Sequence, residues 1–281
     1  MPDTATPLLE MRHVNLRFED TWALHDISLR LNPGETRIIL GAAGSGKTTL
    51  LKAVIGLVHI GQGDIELFGK DVVSLKEQEL FSLRSHAGFL FQEGGLFDSL
   101  TIGENVEYPL VNQQTANGHH EERLSQDEIE KRVRETLSFV ELAGTYDKFP
   151  SELSGGMRRR VGIARAIVTE PPLILYDSPT AGLDPITANV IMALIAKERD
   201  VRNTASLIVT HRYQDGELMA NFRYDREQEE LVPLGEQGED HKRTRTKFIV
   251  MREGEIVFFG TREELENSSD QYVKRFVKHQ D

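Results

Sequence analysis

Eight consecutive residues, Gly41-Ala42-Ala43-Gly44-Ser45-Gly46-Lys47-Thr48, have the types and order needed to hold a chain of phosphates. They satisfy the pattern G-x-x-x-x-G-K-[ST], they follow the apolar run Ile38-Ile39-Leu40, and an apolar helical pattern follows them. Glycines let backbone N–H groups converge on phosphate oxygens without Cβ clashes. The positive end of the following helix points at the same anion. Lys47 supplies a point charge to the β- and γ-phosphates, Thr48 offers a hydroxyl to Mg2+, and Thr49 stands beside them in the first helical turn. A chance Gly-rich turn would not need the lysine and threonine in that order. The motif alone does not separate a kinase, a GTPase and a transport ATPase.

A second acid completes the chemistry. Leu173-Ile174-Leu175-Tyr176 is an apolar strand that ends in Asp177. A carboxylate at the end of a buried strand beside the phosphate loop can hold Mg2+; its plainer role is to cap the next turn. The next residue is Ser178, where many phosphate-loop ATPases carry a Glu that orients or deprotonates the attacking water. A serine can hydrogen-bond that water but cannot act as a carboxylate base. Either hydrolysis is slow, or another group positions the water, or nucleotide binding itself does much of the work.

These residues need a scaffold. Residues 9–31 alternate apolar and polar and predict two half-buried strands joined at Glu19–Thr21. Short apolar runs predict strands at Thr36–Leu40, 64–68, Ala87–Phe91, Leu173–Tyr176 and Ala205–Val209. Helical patterns cover 47–58, Leu75–Arg84, much of 100–143 with a polar break at Asn112–Gln126, 154–170 and Ile186–Arg199. Lys247–Met251 and Glu255–Phe259 flank Arg252-Glu253-Gly254, a hairpin signal. The charged stretch from Tyr224 to Lys247 is either a long hairpin tip or a disordered insertion. Strands alternating with helices predict an α/β core with a mostly parallel sheet, and the N-terminal strands predict an attached antiparallel β-subdomain.

Composition narrows the class. A chain of 281 residues can bury a sizeable core. It has no apolar run long enough to span a bilayer and no basic-then-apolar leader at its start. Zero cysteines exclude disulfides and thiol chemistry. A formal net charge of -12 argues against a nucleic-acid partner.

Further motifs carry a family resemblance. Leu153-Ser154-Gly155-Gly156-Met157, the helix after it, the strand ending in Asp177, and Ala181-Gly182-Leu183-Asp184 resemble the ATP-binding cassettes of ABC transporters. The resemblance covers about residues 8–219 and resumes near 247–260. It implies a P-loop ATPase with a helical subdomain at about 95–170 carrying the signature, a charged insertion at about 224–246, and a helical tail over 261–281. It implies that ATP and Mg2+ bind here. It places Phe18 against adenine, with Trp22 as the other candidate, and Gln92 near Mg2+ or the water. It places Ser154, Gly155 and Gly156 over the γ-phosphate of a nucleotide held by a second copy of the chain. Asp184 falls along that dimer interface, and His211 contacts the γ-phosphate. Plainer roles exist for several: Phe18 or His211 in the core, Gln92 on a surface loop, Ser154 as a helix cap. Ser178 departs from the family, and the charged insertion exceeds the usual link after the histidine.

Within the family, Phe91–Leu100 (FQEGGLFDSL) and Glu104–Leu110 (ENVEYPL) resemble Mce/Mla-type lipid-transport cassettes. That resemblance implies a multispanning permease, an Mce-type substrate-binding protein, and a peripheral position on the cytoplasmic side of the inner membrane. The implied cargo is phospholipid or another hydrophobic molecule. The alternatives are an ATP-gated clamp in the same type of complex, suggested by Ser178, and a non-transport ABC ATPase. The latter usually carries two cassettes or a long coiled coil, and this chain has one cassette and no heptads.

Overall fold

A computed structural model describes residues 6–116, 124–234 and 246–277. The chain opens with β1 (Leu9–Phe18) and β2 (Thr21–Leu31), then enters β3 (Thr36–Gly41), the phosphate loop and α1 (Lys47–Val54). Next come β4 (Gln62–Leu67), β5 (Lys70–Asp71), α2 (Glu77–Arg84) and β6 (Ala87–Leu90). Three helices follow: α3 (Ile102–Ala116), α4 (Gln126–Phe139) and α5 (Gly155–Ile167). Then β7 (Leu173–Asp177), α6 (Pro185–Arg202), β8 (Ala205–Val209) and α7 (Tyr213–Asn221) rebuild the α/β alternation. The chain continues through β9 (Phe222–Asp225), β10 (Glu230–Pro233), β11 (Thr246–Arg252) and β12 (Glu255–Gly260) to α8 (Arg262–Glu266) and α9 (Gln271–Val277).

Among the described residues the main sheet has the order β12-β11-β3-β8-β7-β6. All neighbours are parallel except β12, which pairs antiparallel with β11 at the edge. β3, β7 and β8 are buried along their whole length, as continuous apolar strands between two covered faces should be. Alternation then sorts their side chains between two cores. Ile38, Leu40, Ile174, Tyr176, Ile208, Phe248 and Val250 pack on one face with residues of α3 to α6. Ile39, Leu173, Leu175, Leu207, Val209, Ile249 and Met251 pack on the other with α1 and the antiparallel sheet β2-β1-β4-β5. The expected α/β core and antiparallel β-subdomain are both present. No helix of the described residues is long and apolar enough to cross a membrane.

Several boundaries differ from the sequence reading for local reasons. The apolar pattern over 47–58 ends as a helix at Val54, because Gly56 turns left-handed at φ 64°. α3 carries Pro109 and runs on to Ala116, past the expected break at Asn112; residues 117–123 lie outside the described residues. α7 was not foreseen, and of the two alternatives for the charged stretch the hairpin forms its first part, as β9 paired with β10. The hairpin closes through an Asx turn in which Asp225 Oδ1 accepts from Glu227 N and Gln228 N. It is tied to α6 by Arg199, which donates to Met219 O and Phe222 O, and by Asp200, which accepts from Tyr224 N. The remainder of the charged insertion, 235–245, lies outside the described residues, and the alternative of disorder falls there.

The strand that delivers Gln92 is pressed close to the helix that carries the signature. A Cβ on Gly88 of β6 would stand 2.3 Å from Ala166 O of α5. Backbone cannot yield as a side chain does, so Gly88→Ala should destabilise the fold by about 1–3 kcal/mol. Urea denaturation should show this as a lowered midpoint with an unchanged slope.

Candidate functional site

The phosphate loop is held open by backbone rather than by side-chain bulk. Gly46 adopts φ 99°, and a Cβ there would fall 2.2 Å from Ala23 O. Gly46 also caps α1 without a side-chain hydrogen bond, which leaves the first amides of that helix available to an anion. Lys47 lies 5% exposed, and its Nζ donates to Gly41 O at 2.9 Å, Ala42 O at 2.7 Å and Ser45 Oγ at 3.2 Å. Burial pushes the Lys47 ammonium down to about 8, against the opposing pull of Asp177.

Asp177 ends β7 directly beside this loop. Its Oδ1 accepts from Thr48 Oγ1 and from Ser178 Oγ, both at 3.2 Å. Hydroxyl and carboxylate oxygens are the hard donors that Mg2+ takes. No cluster of three His, Cys, Asp or Glu able to hold a metal exists among the described residues. The donor set therefore fits a cation shared with phosphate oxygens rather than one caged by protein alone. Ser178 is buried, with φ 54° and its amide donating to Val209 O at 2.9 Å. Its hydroxyl is turned onto Asp177.

A cleft of about 420 Å3 brings Ala43–Thr49, Gln92, Ser178 and His211 together, with Phe18 and Trp22 also in its wall. Trp22 stacks on His25 at 4.8 Å and lies under the Arg17 guanidinium, whereas Phe18 stands 53% exposed. Desolvation and the Lys47 charge lower the His211 pKa, opposed by a hydrogen bond to the Gly41 backbone and by Asp177. The neutral ring is thereby favoured over the charged one.

The signature residues stand elsewhere. Ser154 caps α5, its Oγ accepting from Met157 N at 3.3 Å. Ser154, Gly155, Gly156 and Asp184 line a second cleft of about 420 Å3. Asp184 caps α6, accepting from Ile186 N, Thr187 N and Thr187 Oγ1; these bonds lower its pKa, the Thr187 hydroxyl foremost. The structure thus brings thirteen of the residues singled out — Phe18, Ala43–Thr49, Gln92, Ser178, His211, Asp177 through Thr48, and Trp22 — to one place. Gly41 and Ala42 border it on another groove, and the signature set with Asp184 lies apart. The link Ala181–Asp184 runs from the first cleft into the second, and Arg159 of α5 donates to Ala181 O at 3.1 Å.

One residue was missed in the sequence. Asp215 is buried, and its Oδ2 accepts from Thr180 Oγ1 at 2.5 Å and Thr210 Oγ1 at 2.6 Å. Thr180 follows Ser178 by two positions and Thr210 precedes His211, so a single carboxylate ties both loops. Burial pushes the Asp215 pKa up, partly offset by the two threonine hydrogen bonds and Arg212. The available signal was an acid four residues past the histidine, on the inner face of a helix.

Known proteins share this arrangement. The ABC transporter family profile matches residues 24–181, more than half of the chain. The chain belongs to the ABC transporter ATP-binding family. The intermembrane phospholipid transport ATP-binding protein MlaF of Haemophilus influenzae is 31% identical over 96% of this chain and 90% of its own. A probable ribonucleotide transport ATP-binding protein of Mycobacterium leprae is 36% identical over 72% of this chain and 56% of its own. A methionine import ATP-binding protein of Corynebacterium efficiens is 39% identical over 71% and 53%. The chain thus spans little more than half the length of these last two relatives. Among solved structures, a dimeric ATP-binding cassette in a post-hydrolysis state bound to ADP and Pi superposes with TM-score 0.72 at 28% identity. It covers 90% of this chain and 98% of that one. The protein is accordingly an ABC-type ATPase subunit that binds ATP.

The depressed Lys47 pKa makes a pH signature. Phosphates favour the charged ammonium, so bound nucleotide raises a pKa that starts near 8. Between about pH 8 and 10 ATP binding should therefore take up a proton, and affinity should fall as pH rises. Calorimetry in buffers of different ionisation enthalpy should register that uptake, and Lys47→Arg should abolish it.

Proposed function

We propose that this subunit hydrolyses ATP between two copies of itself to drive a separate membrane permease that moves phospholipid or another hydrophobic cargo. The observation that carries the cargo reading is the match to the Haemophilus phospholipid cassette, which runs through nearly the whole of both chains. The methionine and ribonucleotide relatives widen the cargoes of the family, but they are longer proteins matched in part. In this reading the complex includes an Mce-type substrate-binding protein, and the subunit is peripheral on the cytoplasmic side of the inner membrane. The permease docks beside Gln92, where Phe91, Phe97 and Tyr108 are exposed and the last two rings lie 4.9 Å apart.

In this reading each residue has a task. Phe18 stacks on adenine, because Trp22 is already engaged by His25 and Arg17. The amides of Ala43 to Thr49 and the Lys47 ammonium hold the phosphates. Thr48, Asp177 and Gln92 would hold Mg2+, which would supply positive charge to offset that of the phosphates. Ser154, Gly155 and Gly156 of one copy cover the nucleotide on the other, bringing an N-capped helix start to the γ-phosphate. Asp184 fixes the first turn of α6 beside that surface. His211 accepts a hydrogen bond from the attacking water or donates to the γ-phosphate. ATP joins the two copies, and its stronger binding to the closed pair supplies the work.

Ser178 favours a second reading, an ATP-gated clamp in the same type of complex. Its hydroxyl is spent on Asp177, and no carboxylate occupies that position. Turnover of the permease complex separates the two, with Lys47→Ala as the blank. Turnover above the blank is expected, rising about tenfold or more in Ser178→Glu if a general base is regained. Native turnover at the blank level would leave only the clamp. For cargo, the complex purified from its own membranes should carry phospholipid in mass spectrometry. A complex that instead contains a soluble binding protein for a polar solute would sink the lipid reading.

A further inference from the structure

The phosphate loop is gripped from outside the nucleotide-binding elements. Tyr272, in the C-terminal helix α9, places its phenol oxygen 3.2 Å from Ala42 N and 3.0 Å from Met251 O. An amide N–H can only donate and a carbonyl can only accept, so both directions are fixed. The hydroxyl accepts from the second residue of the loop and donates to the strand residue paired with Gly41. Its ring is held on two further sides, by Phe276 edge-on at 5.2 Å and by the Arg252 guanidinium at 5.4 Å. Asp270 fixes the first turn of α9, its Oδ1 accepting from Tyr272 N and Val273 N.

The tail also reaches the histidine side of the site. Tyr213, two residues after His211, donates to Glu266 of α8. Arg262 of α8 lies 3.3 Å from Glu266 and 3.9 Å from Glu217 of α7. A groove of about 970 Å3 has Gly41, Ala42, His211, Arg275 and Phe276 together in its wall. One terminal segment thus touches the start of the phosphate loop and the helix that follows the histidine.

We infer that Tyr272 is a positioning residue for nucleotide binding: its hydroxyl fixes the Gly41–Ala42 end of the phosphate loop and so couples the C-terminal helix to ATP affinity. The inference rests on reading the Lys47 cleft as the nucleotide site, and it holds for any cargo. A loop already fixed gives up less freedom when phosphates arrive, so releasing it weakens binding. The Lys47 ammonium cannot replace the contact, because it is a donor and cannot accept from the Ala42 amide.

The test is ATP affinity of the full chain with Mg2+, by calorimetry, for wild type, Tyr272→Phe, Tyr272→Ala and Lys47→Ala. The phenylalanine keeps the ring against Phe276 and Arg252 and removes only the hydroxyl. It should bind ATP roughly two- to tenfold more weakly, the range of one net hydrogen bond, with a melting temperature without nucleotide lowered by no more than about a few degrees. A phenylalanine variant within twofold of wild type overturns the inference, whether or not the alanine variant is weaker, because packing alone would then explain Tyr272. Wild type and Lys47→Ala binding alike would instead remove the nucleotide reading of the cleft, and the inference with it.

Discussion

A cation kept below the surface governs this molecule. Lys47 is held against two carbonyls and a hydroxyl of its own loop, next to the Asp177 carboxylate. A buried ammonium with imperfect compensation is costly, and its lowered pKa is the measure of that cost. A triphosphate supplies the missing negative charge. The parallel sheet exists, in functional terms, to bring this pair together: β3 ends at the loop, β7 ends at Asp177, and β8 lies between them and leads to His211. Asp215 then locks the loops after β7 and β8 to one another, so that Ser178 and His211 are placed by one buried carboxylate.

The two binding surfaces of the chain differ in how they are made. The phosphate cleft is assembled from strand ends and a left-handed loop. The signature surface is assembled from two capped helix starts, those of α5 and α6. Capping side chains leave some first-turn amides free, and both surfaces therefore present partial positive charge to an anion. The segment Ala181–Asp184 belongs to both, and Arg159 pins it to α5. A few residues of backbone therefore connect the two surfaces.

Much of this was legible in the sequence where a local rule acts alone. The loop Gly41–Thr48, the apolar strands at 36–41, 173–177 and 205–209, and the hairpin around Glu253-Gly254 follow from backbone sterics and burial on both faces. What escaped were features set by distant contacts. The charged stretch left hairpin and disorder both open, and the choice for β9–β10 is made by Arg199 and Asp200 on α6, about twenty or more residues earlier. α3 passes through Pro109 and beyond Asn112 because Val106 and Leu110 are buried in the larger core. Asp215 gave no more than an acid past the histidine, and Tyr272 no more than an aromatic near the end. Their roles depend on partners 35 and 230 residues away, which no local pattern encodes.

The division of the site between two surfaces has an evolutionary corollary. A chain that carries one of each and pairs with its own copy builds two equal sites, so any substitution enters both at once. Assemblies of unlike chains can let one site decay while its neighbour keeps working. Paired with its own copy, as proposed, this cassette has no such reserve: Ser178 then stands in both sites. In that arrangement selection on the residue acts on both sites together.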